Sequence, residues 1–83
     1  MTVDNPVELV ERAGTLVREN RFCDAEALLS EAWRLAEEGS DDWARGDIAF
    51  RIAATYRERG RLDDARRFYV EAARWQRRAF GLS

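Results

Sequence analysis

The sequence predicts an all-α protein of four helices arranged as two helix-turn-helix hairpins. Apolar residues recur with a period of about 3.6 residues, and turn and cap residues divide this pattern into four segments. The pattern of residues 18–25 also returns 40 residues later. No segment alternates apolar and polar residues as a half-buried strand does, so a β fold is excluded. With 83 residues, the chain has room for one domain with one modest core.

The first hairpin is predicted over residues 6–38. It begins at Asn5 and Pro6, because an asparagine side chain can accept from free helix amides and proline at the first helical position loses no internal hydrogen bond. We expect the first helix to run to about Asn20, where a tight turn leads into the second helix. Gly39 is expected to end that second helix, since glycine adopts a positive φ without strain.

The second hairpin is predicted over residues 42–80. Several cap residues stand in the segment 40–42, and Gly46 weakens the following helix by about 1 kcal/mol relative to alanine. Gly60 marks the second turn, and the last helix begins near Asp63. The apolar positions expected to be buried in the four helices are Leu9, Ala13, Leu16, Phe22, Ala25, Leu28, Leu29, Ala32, Leu35, Ala36, Trp43, Ala49, Ile52, Ala53, Tyr56, Ala65, Phe68, Tyr69, Ala72, Ala73 and Trp75.

An internal repeat pairs residues 18–25 with residues 58–65. A match that extends over two helices is a stronger signal than a single turn motif, because unrelated hairpins seldom agree in register. Four further pairs at the same offset keep small or large apolar residues in both copies: Ala13 and Ala53, Leu16 and Tyr56, Leu29 and Tyr69, and Ala32 and Ala72.

The repeated positions resemble the tetratricopeptide repeat family, in which small residues let two antiparallel helices approach and larger residues fill the spaces between them. The resemblance covers about residues 6–79. It implies that the two hairpins stack as a short right-handed superhelix. The residues that carry it are Ile52, Ala53, Tyr56, Gly60, Leu62, Ala65, Tyr69 and Ala72 in the second copy, and Ala13, Leu16, Phe22, Ala25, Leu29 and Ala32 in the first.

Three features depart from the family pattern. Arg12 stands at a position that is usually large and apolar, Asn20 replaces the turn glycine, and no proline ends a repeat. The first hairpin is therefore interpreted as a divergent cap. The usual period is about 34 residues, so the offset of 40 implies longer helices or a longer joint. Such variants are similar to the repeats of kinesin light chain and of the spindle-orientation adaptors.

The resemblance implies a non-catalytic protein-interaction module that binds a peptide or helix of a partner protein through the concave face of its first helices, or self-associates. Core packing is an equally good interpretation for Val10 and Val17. Phe50 is the better candidate for a partner contact because it lies off the buried stripe. The concave-face residues are Val7, Val10, Gly14, Val17, Asp47, Phe50, Ala54, Arg57 and Glu58. They do not predict a carboxylate clamp, since lysine and asparagine are absent from them.

Charge is distributed unevenly along the chain. Residues 1–42 hold 11 acids and 4 arginines, whereas residues 43–83 hold 5 acids and 10 arginines, net charges of −7 and +5. Because two repeats bury little surface, we expect a homo-oligomer, either head to tail or as a symmetric antiparallel dimer. Docking of the two halves within one chain, together with solubility, explains the asymmetry equally well.

A second interpretation is a small nucleic-acid-associated helical protein. Arg67, Arg74 and Arg78 share one face of the last helix beside Trp75. Arginine suits phosphate because its guanidinium is a planar fork. The sequence pI of about 5.2 is unfavourable for this role.

An enzyme is not expected. The chain has no histidine, no glycine-rich phosphate loop and no cluster of metal-ligand residues, so neither a cofactor nor a metal is predicted. Cys23 stands alone and is expected to be partly buried and unreactive. A cytoplasmic location is expected, because the chain lacks both a secretion signal and an apolar run of about 18 residues.

Overall fold

A computed structural model describes residues 5–81 of the chain, and these residues form four α-helices and no strand. The predicted all-α class with four helices is confirmed. Most helix ends lie within one residue of the predicted positions, and the first helix stops two residues earlier than expected. The helices are α1 (Pro6–Arg18), α2 (Phe22–Glu38), α3 (Asp42–Arg59) and α4 (Leu62–Ala79).

Short polar side chains cap the starts of α1 and α3. The side chain of Asn5 accepts from the backbone amide of Val7 at 2.9 Å, as expected for an asparagine cap before a proline. Asp41 caps α3 in the same way, accepting from the amide of Trp43 at 2.9 Å. Each cap satisfies an amide that has no partner inside its own helix.

The two turns have the same geometry, although their residues differ. Asn20 and Gly60 both adopt the left-handed conformation, with φ of 62° and 88°. At each turn, the amide of the following arginine donates to a carbonyl five residues back in the helix that ends there, at 2.8 Å from Arg21 and 2.9 Å from Arg61. The sequence offset of 40 is therefore also an offset in backbone structure.

The joint between the hairpins differs from the prediction. Gly39 ends α2, but its φ of −75° and ψ of 171° are extended, so the expected positive φ is wrong. The terminal carbonyls are satisfied from outside, because Nη2 of Arg45 donates to the carbonyl oxygens of Glu37 and Gly39. The same guanidinium pairs with Asp42 at 2.8 Å. An ion pair and two hydrogen bonds thus fix this joint.

Aromatic pairs show that α3 and α4 run antiparallel. The ring centroids of Trp43 and Phe80 are 4.6 Å apart, and those of Phe50 and Tyr69 are 5.5 Å apart. Positions later in α3 therefore meet earlier positions in α4. The two helices approach closely at Gly46, where a Cβ would stand 3.5 Å from the carbonyl oxygen of Ala72 in α4.

Helix α3 is the centre of the core, since it packs against α1, α2 and α4. The hairpins also meet through rings: Phe22 lies edge-on to Tyr56 at 5.9 Å, and Trp33 lies edge-on to Phe68 at 5.5 Å. Most positions predicted to be buried are buried or half-buried. Trp43 and Ala73 are exceptions, because both are exposed. The buried hydrophobic residues are Leu9, Val10, Ala13, Val17, Ala25, Leu29, Ala32, Ala36, Ile48, Ala49, Ile52, Ala53, Tyr56, Ala65, Phe68 and Ala72.

Candidate partner-binding surfaces

A groove of about 320 Å³ runs between α1 and α3 and contains five of the nine predicted concave-face residues. We refer to it as the α1–α3 groove. The residues that line it are Val10, Glu11, Gly14, Arg18, Phe50, Arg51, Ala54, Thr55 and Glu58.

Its apolar floor and wall come from both helices. Val10 and Gly14, one helical turn apart on α1, are buried, and Ala54 on α3 is half-buried. The missing side chain at Gly14 leaves depth, because a Cβ there would meet only Nη1 of Arg18, at 3.6 Å. Phe50 forms the wall and is 52% exposed.

The remaining predicted residues do not line this groove. Val17 belongs to the core and Val7 is half-buried against it. The packing interpretation is favoured for Val17 and also for Val10, which is part of the same core while it lines the floor of the groove. Asp47 is exposed and pairs with Arg51 at 2.9 Å, next to the groove. Arg57 lines a different groove, between α3 and α4.

Charges of both signs surround the α1–α3 groove. Arg18 on α1 lies 3.9 Å from Glu58 on α3, so this pair spans the groove at one end. Glu11 and Arg51 add one charge of each sign. These exposed pairs contribute little to stability, and they leave the groove without a net charge that would favour one sign of ligand.

Sequence reasoning missed a second groove, of about 380 Å³, between α3 and α4. We refer to it as the α3–α4 groove. Leu62 and Val70 beside it are 65% and 63% exposed. The available signal was Val70, an apolar residue outside the assigned core stripe. The lining residues are Arg57, Leu62, Ala65, Arg66, Tyr69, Val70 and Ala73.

A smaller, polar cavity of about 240 Å³ lies between the hairpins. The hydroxyl of Tyr56 donates to the carboxylate of Glu26 there, at 3.3 Å. Burial of the phenol, together with the negative charges of Glu26 and Asp64, raises the pKa of Tyr56 to about 12. The hydrogen bond joins α3 to α2, so this cavity belongs to the contact between the hairpins.

Three of the five arginines of α4 lie over aromatic rings of the chain. The guanidinium of Arg67 lies 4.8 Å from the ring centroid of Phe68, and those of Arg74 and Arg78 lie 5.6 and 5.1 Å from the ring centroid of Trp75. Arg45 of α3 approaches the ring of Trp75 at 4.8 Å. Cation-π contacts therefore explain part of this arginine-rich face without a nucleic acid.

Within residues 5–81, no group of three or more His, Cys, Asp and Glu side chains could hold a metal ion. Cys23 is exposed, so the expectation that it is partly buried is wrong. Asp41 caps α3, in agreement with the cap residues predicted in the segment 40–42. None of the four described helices has the length and apolar character needed to cross a membrane.

No protein-family model, no curated protein and no solved structure matches the chain. The resemblance to tetratricopeptide repeats and the right-handed stacking that it implies therefore stay predictions.

Proposed function

We propose that the chain is a non-catalytic protein-interaction module of the cytoplasm that holds a peptide or helix of a partner protein in the α1–α3 groove. An apolar floor, an aromatic wall and charges of both signs around it are typical of a surface that buries one or two apolar side chains. The exposed, unpaired thiol of Cys23 supports a reducing compartment.

The proposal rests on the exposure and packing of the Phe50 ring. Its ring is 52% exposed, yet it lies edge-on to Tyr69 with the centroids 5.5 Å apart. A ring that is held on one side loses little conformational entropy when a partner covers the other side. Anchored aromatic rings near the centre of an interface are the residues whose truncation costs the most binding free energy.

The decisive experiment compares Phe50→Asp with Val70→Asp in affinity capture followed by mass spectrometry. Both changes place a carboxylate on an exposed apolar position, but only the first lies in the α1–α3 groove. We expect Phe50→Asp to lose the captured protein and Val70→Asp to retain it, with circular dichroism showing that both variants are folded. Retention by Phe50→Asp would refute the assignment of this groove.

Self-association is a second candidate function, favoured by the net charges of −7 and +5 on the two halves of the chain. Opposite charges on two copies attract, and salt screens this attraction over about 10 Å at 0.1 M. A light-scattering mass of two chains at low salt that falls to one chain at high salt would support it. One chain under both conditions would exclude it. The arginines of α4 remain the basis of the nucleic-acid alternative, which ranks below both.

A further inference from the structure

We propose that the α3–α4 groove is a second docking surface, and that it binds an amphipathic helix whose apolar stripe is edged by carboxylates. This surface is separate from the α1–α3 groove, so it extends the proposed function rather than restating it. Two occupied grooves would let the chain connect two partner proteins.

The internal repeat shows what kind of structure fits this groove. At the offset of 40, Leu62 corresponds to Phe22 and Ala73 corresponds to Trp33. In the first hairpin these positions are covered: Phe22 packs on Tyr56 of α3, and Trp33 packs on a ring of α4. The corresponding surface of the second hairpin has no cover among residues 5–81.

The occupant is inferred to be a helix because a helix already occupies the equivalent place. Helix α3 packs against both α1 and α2. Leu29 on α2 is 1% exposed, whereas Tyr69, the counterpart of Leu29 on α4, is only half-buried. An apolar helix face laid along the α3–α4 groove would cover Leu62 as α3 covers its counterpart Phe22, and it would also bury the exposed Val70.

Two arginines determine the charge of the occupant. Arg57 and Arg66 line the α3–α4 groove, and within residues 5–81 neither has a carboxylate within 4.0 Å. Arg66 corresponds by the repeat to Glu26, which accepts a hydrogen bond from Tyr56 of the docked hairpin. The second hairpin thus has a hydrogen-bond donor, the guanidinium of Arg66, where the first has an acceptor, the carboxylate of Glu26. Carboxylates on the occupant complement both guanidiniums.

A second copy of the chain does not fit this groove well. If its first hairpin took the place of α3 and α4, Glu8 and Arg12 would occupy the positions of Ile48 and Ile52, which are 3% and 0% exposed. Burying these charges without matched partners is unfavourable. Pairing two α3–α4 grooves face to face would bring four guanidiniums, those of Arg57 and Arg66 from each copy, into one interface, where like charges repel.

The test uses two synthetic helical peptides with the same leucine stripe, one edged by glutamate and the other by arginine. Binding of each labelled peptide to the full chain is measured by fluorescence anisotropy. We expect the glutamate-edged peptide to bind at least about tenfold more tightly, which corresponds to about 1.4 kcal/mol. Equal affinities, or no binding of either peptide at millimolar concentration, would overturn the proposal.

Matched variants locate the binding. Arg66→Glu should reduce the preference for the glutamate-edged peptide by about tenfold, whereas Arg51→Glu makes the same charge change at the α1–α3 groove and should leave it unchanged. Val70→Asp should weaken binding of both peptides while it retains the protein captured through the α1–α3 groove. Equal effects of Arg66→Glu and Arg51→Glu would refute the location. A two-chain mass that persists at high salt and is lost in Val70→Asp would assign the groove to a second copy and overturn the proposal.

Discussion

The two hairpins share one backbone plan and differ in the residues on their outer faces. Both turn through a left-handed residue, at Asn20 and at Gly60. Ile48 and Ile52 are buried, whereas Glu8 and Arg12 at the corresponding positions of the first hairpin are exposed. The first hairpin thus has charged residues on its outer face, whereas the outer face of the second hairpin exposes Leu62 and Val70.

This difference teaches that the position of a hairpin in the stack, rather than the repeated pattern itself, determines which of its apolar residues are available to a partner. The same helix face is core in one copy and surface in the other. Substitutions at equivalent positions in the two hairpins therefore test the comparison directly.

The largest expected difference in the free energy of unfolding is between the variants Ile52→Ala and Arg12→Ala. Ile52 is 0% exposed, so its truncation leaves a cavity and should lower the free energy of unfolding by about 2–5 kcal/mol. Arg12 is exposed, and its truncation should change the free energy by no more than about 0.5 kcal/mol. Urea-induced unfolding measures both. Similar losses for the two variants would mean that the face of α1 carrying Arg12 is covered in solution.

The next difference concerns the turns. Gly60→Ala should lower the free energy of unfolding by about 1–2 kcal/mol, because φ of 88° strains an L-residue even though no atom lies within 4 Å of the added Cβ. Asn20→Gly should change it by less than about 0.5 kcal/mol, since asparagine tolerates the left-handed region. Thermal unfolding compares the two variants. A stable Gly60→Ala variant would show that this turn has another conformation in solution.

The smallest effect at neutral pH is expected for Tyr56→Phe, whose counterpart in the first hairpin, Leu16, cannot ionise. Removing the hydrogen bond to Glu26 should lower stability by about 0.5–1 kcal/mol. The folded pKa of about 12 lies above the ordinary value of 10.0, so the phenol stabilises the fold below pH 10 and this contribution is lost as the pH rises toward 12. Unfolding measured across that range should therefore decline less steeply in the variant. Parallel declines would contradict the raised pKa.

The helices and most of the core could be predicted because they depend on local signals. Asn5, Gly60 and the helical spacing of alanines act within one or two turns of chain. Gly39 was assigned the wrong backbone because the carbonyls at that joint are satisfied by Arg45, a tertiary contact that propensity does not reveal. Trp43 and Ala73 are exposed because helical periodicity identifies an apolar face without showing whether another helix covers it.

The candidate partner-binding residues followed from the resemblance to tetratricopeptide repeats, and helical spacing explains why four of them lie together. Val10 and Gly14 lie one turn apart on α1, and Phe50 and Ala54 do the same on α3, so packing of the two helices brings the four together. Arg57 could not be placed this way, since it lies beside the turn into α4 and lines the other groove. The α3–α4 groove could not be predicted, because the sequence does not show that no helix covers this end of the stack.

The contacts of Arg45 have a consequence for both grooves. Its guanidinium bonds to two carbonyls at the end of α2, pairs with Asp42 at the start of α3 and lies over the ring of Trp75 in α4. Its side chain is 16% exposed. The guanidinium of Arg45 therefore restrains the joint between the hairpins. The spacing of α1 from α3 thus depends on a residue that lines neither groove.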